Sequence, residues 1–113
     1  HSNYLYAIGG RTDRVMRECE RLQVSEDRWE ALQSLPQGSV GVSVVVVKKT
    51  QFLYALGGSN AMGMIQRLSL ARLEWNVMPI KLPTHTFGIA IFKQDETRAF
   101  FVGGEELYCL NAC

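Results

Sequence analysis

A short segment that ends in two glycines occurs three times along the chain, and this internal repeat constrains the fold more than any other feature. Residues 4–10 (Tyr-Leu-Tyr-Ala-Ile-Gly-Gly) recur at 52–58 with five of seven positions identical, and a weaker third copy spans 98–104. The glycine pairs are 48 and then 46 residues apart. Self-similarity at a period of about 20–50 residues is typical of repeat architectures, in which each unit buries its apolar faces against its neighbours.

Other landmarks follow the same spacing. Trp29 and Trp75, the two tryptophans of the chain, are 46 residues apart, and the Leu-Pro pairs at 35–36 and 82–83 are 47 residues apart. Insertions of one or two residues fall between these landmarks, where loops are expected. So many landmarks in one order at one period indicate a structural repeat, whereas a single Gly-Gly would carry little weight.

Within one period the pattern predicts β-structure throughout. Six of the nine residues 40–48 are valine, and such a β-branched run is typical of a strand buried on both faces. Further strands are predicted at 52–58, 65–70 and 75–80, and no stretch sustains a helical period with capping residues. Four short antiparallel strands in a period of about 46–48 residues are typical of one blade of a β-propeller. The predicted fold class is therefore all-β, with four-stranded blades.

Each landmark has a physical reason to recur. Glycines at the end of the second strand lack Cβ, so that a neighbouring sheet or aromatic ring can approach their backbone closely, and they reach positive φ at low cost. A tryptophan on the outer strand covers a large area between neighbouring blades. A proline after the outer strand removes a ladder donor where pairing should stop.

The combination of these landmarks resembles the kelch repeat over essentially the whole chain. The resemblance rests on Leu-Tyr-Ala-Ile-Gly-Gly, an Arg-Leu pair whose leucine precedes a tryptophan by seven residues, and a following Leu-Pro. It implies a propeller in which the four strands of each blade run outward from the axis and the double glycine closes the second strand. Structural positions of the repeat are thereby assigned to Gly9, Gly10, Trp29, Gly57, Gly58, Trp75, Gly103, Gly104 and Tyr108.

The chain departs from the kelch pattern at two places. The third strand of the family usually carries a tyrosine seven residues before the tryptophan, where this chain has Leu22 and Leu68 and only Tyr108 retains the aromatic ring. The family often has an arginine just before the innermost strand, where this chain has Gln37 and Thr84. Both departures weaken the transfer of a specific ligand pocket and leave the predicted fold unchanged.

The repeat divides the chain into three partial blades with about ten strands in all. Residues 1–39 are predicted to supply strands 2–4 of one blade, residues 40–83 a complete blade, and residues 84–113 strands 1–3 of a third. Propellers close with about four to eight blades, so one copy cannot form a ring. Two hypotheses follow: the chain is a fragment of a longer kelch protein, or it self-associates, since two copies would supply six glycine pairs.

Composition excludes several classes of partner. Twelve Lys and Arg against eleven Asp and Glu leave a formal charge of +1, which gives no electrostatic reason to expect nucleic acid or a membrane surface as a partner. No apolar run approaches the roughly 20 residues that a membrane helix needs. Three cysteines form no regular disulfide framework, which favours free thiols in a reducing compartment and hence an intracellular, cytoplasmic location.

No cluster of residues in the sequence predicts catalysis, a metal site or a cofactor. The glycine-rich stretch 57–63 lacks the Gly-Lys-Ser/Thr ending of a phosphate-binding loop. Cys109 and Cys113 have no second pair of ligands nearby in sequence, and zinc needs about four ligands. We therefore expect neither an enzyme nor a resident metal or cofactor in this segment. Cys19 is expected to pack as a small hydrophobic residue.

The loops vary between repeats while the strands do not, and loop variation on a fixed scaffold is how binding surfaces arise. In propellers the loops from second to third strand gather on one face with those from the outer strand to the next blade. The candidate partner-binding residues in these loops are Arg11, Asp13, Arg14, Arg17, Gln37, Ser59, Asn60, Met62, Thr84 and His85. Three arginines in the first loop suggest a cationic patch suited to an acidic peptide.

The resemblance implies a protein-interaction module that binds a protein or peptide. It suggests the substrate-recognition or scaffold part of a larger intracellular adaptor, such as a cullin-type ubiquitin ligase subunit, or a cytoskeletal binder. The alternative is a set of blades from a kelch-containing enzyme or sugar-binding protein, of the oxidase or isomerase type, whose active site lies outside this segment.

Overall fold

The computed structural model describes residues 3–61 and 63–82 in full and, beyond them, the backbone of residues 90–93, 98–103 and 106–111. Every regular element in these residues is a β-strand. The strands are β1 (Tyr4–Ile8), β2 (Cys19–Gln23), β3 (Arg28–Leu32), β4 (Ser43–Val47), β5 (Phe52–Leu56), β6 (Ile65–Ser69), β7 (Glu74–Val77), β8 (Ala90–Lys93), β9 (Arg98–Gly103) and β10 (Glu106–Asn111). Within this described part of the chain, no helix has the length and apolar character needed to span a membrane.

The strands pair antiparallel with their neighbours in sequence and form three sheets. The first sheet has the order β1-β2-β3, the second β4-β5-β6-β7 and the third β10-β9-β8. The predicted all-β class is confirmed, and the three-stranded first sheet and four-stranded second sheet are consistent with part of a β-propeller. Side chains are described for the seven strands of these two sheets. The inner strands β4 and β8 lie close to each other, as inner strands do around a propeller axis.

The first and second sheets pair their strands in the same register. Leu22 lies opposite Trp29 in the first sheet, and Leu68 lies opposite Trp75 in the second. Equivalent residues of the repeat therefore occupy equivalent places in the two sheets. The repeat seen in the sequence is thus a repeat of strand register as well as of residue type.

Two expectations about strand positions need correction. The innermost strand of the second sheet begins at Ser43 rather than at residue 40. The residues before it, 33–42, join the first sheet to the second and are hydrogen-bonded to neighbouring loops; we call this segment the connector. In the third sheet Tyr108 pairs with Phe101, which is the register position that Gln66 holds opposite Ala55 in the second sheet. Tyr108 therefore lies two residues away from the place that the sequence alignment predicted for it.

The second sheet is buried on both faces. Alternation along β5 sends Leu53 and Ala55 to the face that meets the first sheet, and Tyr54 and Leu56 to the opposite face. The apolar cluster on the face that meets the first sheet also contains Trp75, which packs against partly buried side chains of that sheet. A sheet buried on both sides is the environment expected for a blade with a neighbour on each side.

The first sheet has one exposed apolar face. Trp29 is 50% exposed whereas its repeat equivalent Trp75 is 7% exposed, and Leu5 is 57% exposed whereas Leu53 is fully buried. The residue types and register are the same, so the difference comes from packing: no other sheet covers this face within the described residues. The prediction that the outer tryptophan lies between blades is confirmed for Trp75.

The two arginines that recur in the repeat have structural contacts. The guanidinium of Arg21 lies 4.1 Å from the ring centre of Tyr4, and that of Arg67 lies 4.0 Å from the ring centre of Phe52. Arg21 also forms an ion pair with Glu30 on the adjacent strand. Cation–π contacts at partly buried sites are worth about 0.5–2 kcal/mol, so these arginines contribute to the stability of each sheet.

Cys19 lies in the core between the first two sheets and is 2% exposed. Burial raises the pKa of its thiol, because the charged thiolate is poorly solvated there. The prediction that this cysteine packs as a small hydrophobic residue is confirmed.

The two tryptophans should differ sharply in their contribution to stability. Trp75→Ala should lower the free energy of unfolding by about 3–5 kcal/mol, because it removes a buried indole and leaves a cavity. Trp29→Ala should cost about 1 kcal/mol or less, because half of that side chain is already in solvent. Urea titration followed by circular dichroism measures both values.

If Trp75→Ala does not fold in water, the milder pair Trp75→Phe and Trp29→Phe provides the same test. Equal losses at the two positions would contradict the exposed state of the first sheet's outer face.

Candidate functional site

Three loops come together at one end of the first two sheets, and we call this surface the loop face. It consists of residues 9–18, 33–42 and the described residues of 57–64. Backbone hydrogen bonds join the loops: Gly10 N–H donates to the Ser39 carbonyl at 3.0 Å, and Ser59 N–H donates to the Val40 carbonyl at 2.8 Å. The candidate loops of the first two blades therefore gather on one surface.

Ser39 lies at the centre of this arrangement and is completely buried. Its N–H donates to the Met16 carbonyl at 3.3 Å, and its hydroxyl donates to the Gly57 carbonyl at 3.1 Å. One serine of the connector thus bonds both to the loop of the first sheet and to the loop of the second. A buried polar side chain with its partners satisfied adds specificity to the way the sheets are joined.

One glycine of each of the first two pairs is required by this close packing. A Cβ added at Gly9 would lie 2.7 Å from the Ser39 carbonyl oxygen, and one added at Gly58 would overlap the Ser39 hydroxyl. Gly9 and Gly58 also have φ of 64° and 99°, in the left-handed region that disfavours L side chains. The predicted positive φ is confirmed at these two positions, and the backbone is closely approached, but by Ser39 rather than by the neighbouring sheet or aromatic ring that was expected.

Two side chains of the second sheet anchor the connector. Gln66 is completely buried, and its amide accepts from Gln37 N–H at 2.9 Å and donates to the Gln37 carbonyl at 3.2 Å. The indole N–H of Trp75 donates to the Gln33 carbonyl at 2.8 Å. These bonds hold the connector between the sheets.

The sequence reasoning missed the roles of Gln66 and Ser39. For Gln66 the available signal was its place between Ile65 and Leu68 on a predicted strand, because an amide that becomes buried there requires hydrogen-bond partners. Ser39 carries no comparable signal, because its role depends on two glycines that are distant from it in the chain.

One of the three arginines of the predicted cationic patch is paired with a carboxylate of its own loop. Arg14 forms a 2.6 Å ion pair with Glu18, and Arg17 Nε donates to the Leu35 carbonyl at 2.7 Å. Arg11 has an exposed side chain without a hydrogen bond or ion pair among the described residues. The Leu35 carbonyl is neutral and leaves the charge of Arg17 uncompensated, so only Arg14 of the predicted cationic patch is paired with a carboxylate.

Glu18 is held as a carboxylate by this pairing. The hydrogen bond from Arg14 and the backbone N–H of Arg17 lower the pKa of Glu18 below its usual value. Both side chains of the pair are about half exposed, with 61% for Arg14 and 48% for Glu18. Exposed ion pairs contribute little to stability, so a partner's carboxylate can compete for Arg14 at low cost.

The remaining candidate residues fall into two groups. Asp13, Gln37, Ser59 and Asn60 are exposed on the loop face, where Asp13 accepts from the Thr12 hydroxyl at 3.0 Å and Ser59 donates to Asn60 at 2.8 Å. The second group lies outside the described residues and consists of Met62, Thr84 and His85. Gly104 of the third glycine pair and the side chain of Tyr108 also lie outside them.

The described residues of the loop face offer exposed hydrogen-bonding groups and a mixed set of charges. Within the described residues, no three histidine, cysteine or acidic side chains are grouped in a way that could hold a metal ion. What the surface can do chemically is form hydrogen bonds and ion pairs with a partner.

Similarity to a known protein supports the kelch-type interpretation in coarse form. The chain is 29% identical over 110 residues to Kelch-like protein 38 of Homo sapiens. The match covers 92% of this chain and 18% of that protein, so the chain spans less than a fifth of the relative's length. No family model matches the chain. At this level of identity the match suggests a kelch-repeat relationship.

Gly58 and Gly10 form a matched pair for testing the packing around Ser39. Both have positive φ, but a Cβ at Gly10 would meet nothing within 4 Å. Gly10→Ala should cost about 1–3 kcal/mol of stability from backbone strain alone. Gly58→Ala should cost a further 1–3 kcal/mol or so, because its methyl group would overlap Ser39.

Chemical denaturation of the two variants measures this difference. Adding Ser39→Gly to Gly58→Ala should recover part of the additional loss, because it removes the overlapping side chain. Equal losses at Gly10 and Gly58, or no recovery in the double variant, would show that the close contact does not carry the effect.

Proposed function

We propose that the chain is a segment of a kelch-type β-propeller whose loop face binds a protein or peptide partner. This proposal rests on the different roles of the buried and the exposed side chains at the loop face. Buried Ser39 and Gln66 fix the backbone of the loops, while the side chains of Arg11, Gln37 and Asn60 remain exposed. A rigid backbone that presents variable side chains is the usual arrangement of a binding surface on a repeat scaffold.

An acidic segment is the partner that these charges favour. Arg11 has no partner among the described residues, and Arg14 is bound only through an exposed ion pair. A carboxylate that approaches Arg11 gains a charge-assisted hydrogen bond without breaking an existing contact. Asp13 and Glu18 lie in the same loop and would repel additional negative charge, so the partner's acidic groups should be few and placed near Arg11.

The wider role follows from the similarity to a kelch-like protein. A segment of this kind would serve as the substrate-recognition or scaffold part of a larger intracellular adaptor, such as a cullin-type ubiquitin ligase subunit, or of a cytoskeletal binder. Such roles require a binding surface and no catalytic group in the blades themselves, which agrees with the hydrogen-bonding character of the loop face.

Charge reversal at Arg11 tests the proposed surface. The probe is an array of 15-residue peptides of equal length and graded Asp and Glu content, from which the tightest acidic binder is taken into solution. Arg11→Glu should weaken binding of that peptide about tenfold, equivalent to about 1.4 kcal/mol. Fluorescence anisotropy measures the affinity, which should also fall as salt is raised.

The control is Arg72→Glu, which reverses an exposed arginine, ion-paired with Glu74, in the turn between β6 and β7 at the other end of the second sheet. This variant should leave the affinity within about twofold, because the charge lies far from the loop face. Preferential binding of neutral peptides, or equal effects of the two substitutions, would refute the proposed surface.

A further inference from the structure

The loop of the first sheet contains an extra residue at Arg17. Gly9 N–H donates to the Glu18 carbonyl, which continues the register of β1 and β2, whereas Met16 N–H donates to the Gly10 carbonyl. Arg17 therefore lies between two paired residues and has no residue opposite it. An extra residue of this kind is a β-bulge, and bulges redirect the side chains that they carry.

The side chain of Arg17 is held against the connector. Its Nε donates to the Leu35 carbonyl at 2.7 Å, and Leu35 N–H donates to the Arg17 carbonyl at 2.8 Å. Gly38 makes room for the stem, because a Cβ added there would lie 2.8 Å from Cγ of Arg17. The residue is nevertheless exposed. An arginine whose stem is already restricted loses less conformational freedom when it binds a ligand.

The second sheet has a glycine at the equivalent place. Gly63 follows Arg17 by 46 residues, which is also the spacing of the two tryptophans. Its carbonyl accepts from Leu82 N–H at 2.8 Å, just as the Arg17 carbonyl accepts from Leu35 N–H. The backbone contact is therefore made without an arginine side chain in the second unit. The arginine is a variable addition to a constant scaffold, and binding residues are often of this kind.

The terminal nitrogens of Arg17 are available to a ligand. Nη1 and Nη2 have no hydrogen-bond or ion-pair partner among the described residues. The carboxylate of the adjacent Glu18 is engaged by Arg14 at 2.6 Å and by the backbone N–H of Arg17 at 3.0 Å. Asp13 of the same loop accepts from the Thr12 hydroxyl. The positive charge of the Arg17 guanidinium is thus not paired with either of these carboxylates.

The bond to Leu35 limits how an anion can approach the guanidinium. A carboxylate can bind side-on, through Nε and one Nη, or end-on, through both Nη groups. Because Nε already donates to the Leu35 carbonyl, the end-on mode is the one left open. Two parallel N–H groups in one plane match the two oxygens of a carboxylate, and a lysine ammonium has no such fork.

We propose that Arg17 is the residue of the loop face that fixes the orientation of the partner, by binding a carboxylate of its acidic segment end-on through both Nη groups. Arg11, whose side chain has no contact among the described residues, supplies a second and more adaptable positive charge. This inference rests on the proposed function for the choice of an acidic partner. It adds the residue that discriminates a carboxylate from other groups, and the geometry by which it does so.

A small probe tests the site without any partner peptide. N-acetylglutamate amide is added at constant ionic strength to the nitrogen-15-labelled chain, and the arginine side-chain signals are followed by NMR. The Nη–H signals of Arg17 should shift and saturate at a lower concentration than those of Arg11 or Arg72. The neutral isostere N-acetylglutamine amide should cause no comparable shift, because it cannot accept a charge-assisted pair of bonds.

The acidic 15-residue peptide selected for the loop face provides the second test. Arg17→Lys should weaken its binding about tenfold, because the charge remains but the fork is lost. Arg11→Lys should change the affinity less than about threefold, because that contact requires only a positive charge. Arg17→Gly, which copies the second unit, should weaken binding at least as much as Arg17→Lys. Urea titration checks that each variant remains folded.

The outcomes separate this inference from the proposed function. If no acidic peptide binds, the proposed function is wrong, and the titration with the small probe still decides the role of Arg17. If the peptide binds and responds to Arg11→Glu, but Arg17→Lys has no larger effect than Arg11→Lys, the function stands and this inference is wrong. Equal shifts of Arg11, Arg17 and Arg72 with the small probe, or none at Arg17, would also overturn it.

Discussion

The contact between Ser39 and the glycine pairs determines how the first two sheets are arranged. Gly9 and Gly58 belong to different sheets, and each approaches Ser39 more closely than a side chain would allow. The connector can therefore pass between the two loops with its polar groups satisfied on both sides. The contacts of Gln66 with Gln37, and of Trp75 with Gln33, depend on the connector being held there.

The sequence alone was sufficient to predict the features of the fold that are periodic and local. The pattern of apolar and β-branched residues placed the strands near their observed positions, and the spacing of Trp29 and Trp75 identified them as equivalent residues of a repeat. It was insufficient where the outcome depends on distant partners. The role of Ser39 depends on glycines of two different loops, and the exposure of Trp29 depends on which sheets are present to cover it.

The repeat also shows how one scaffold carries different chemistry in each unit. Arg21 and Arg67 stack on the same aromatic position, but Arg21 faces Glu30 across the strand pair whereas Arg67 faces Asn76. Gln66 is buried and anchors the connector, while its equivalent Glu20 is exposed. Positions that keep their residue type maintain the sheets, and positions that change are adapted to what lies next to each sheet.

The burial of the second sheet on both faces has a consequence for how the chain unfolds. In a linear array of repeats the stability of each unit depends on the interfaces with its neighbours. The second sheet is stabilised from two sides, whereas the first loses only one interface when it separates. Local unfolding should therefore begin at the first sheet and reach the second sheet later. The second sheet acts as the cooperative nucleus that keeps the described part of the chain folded.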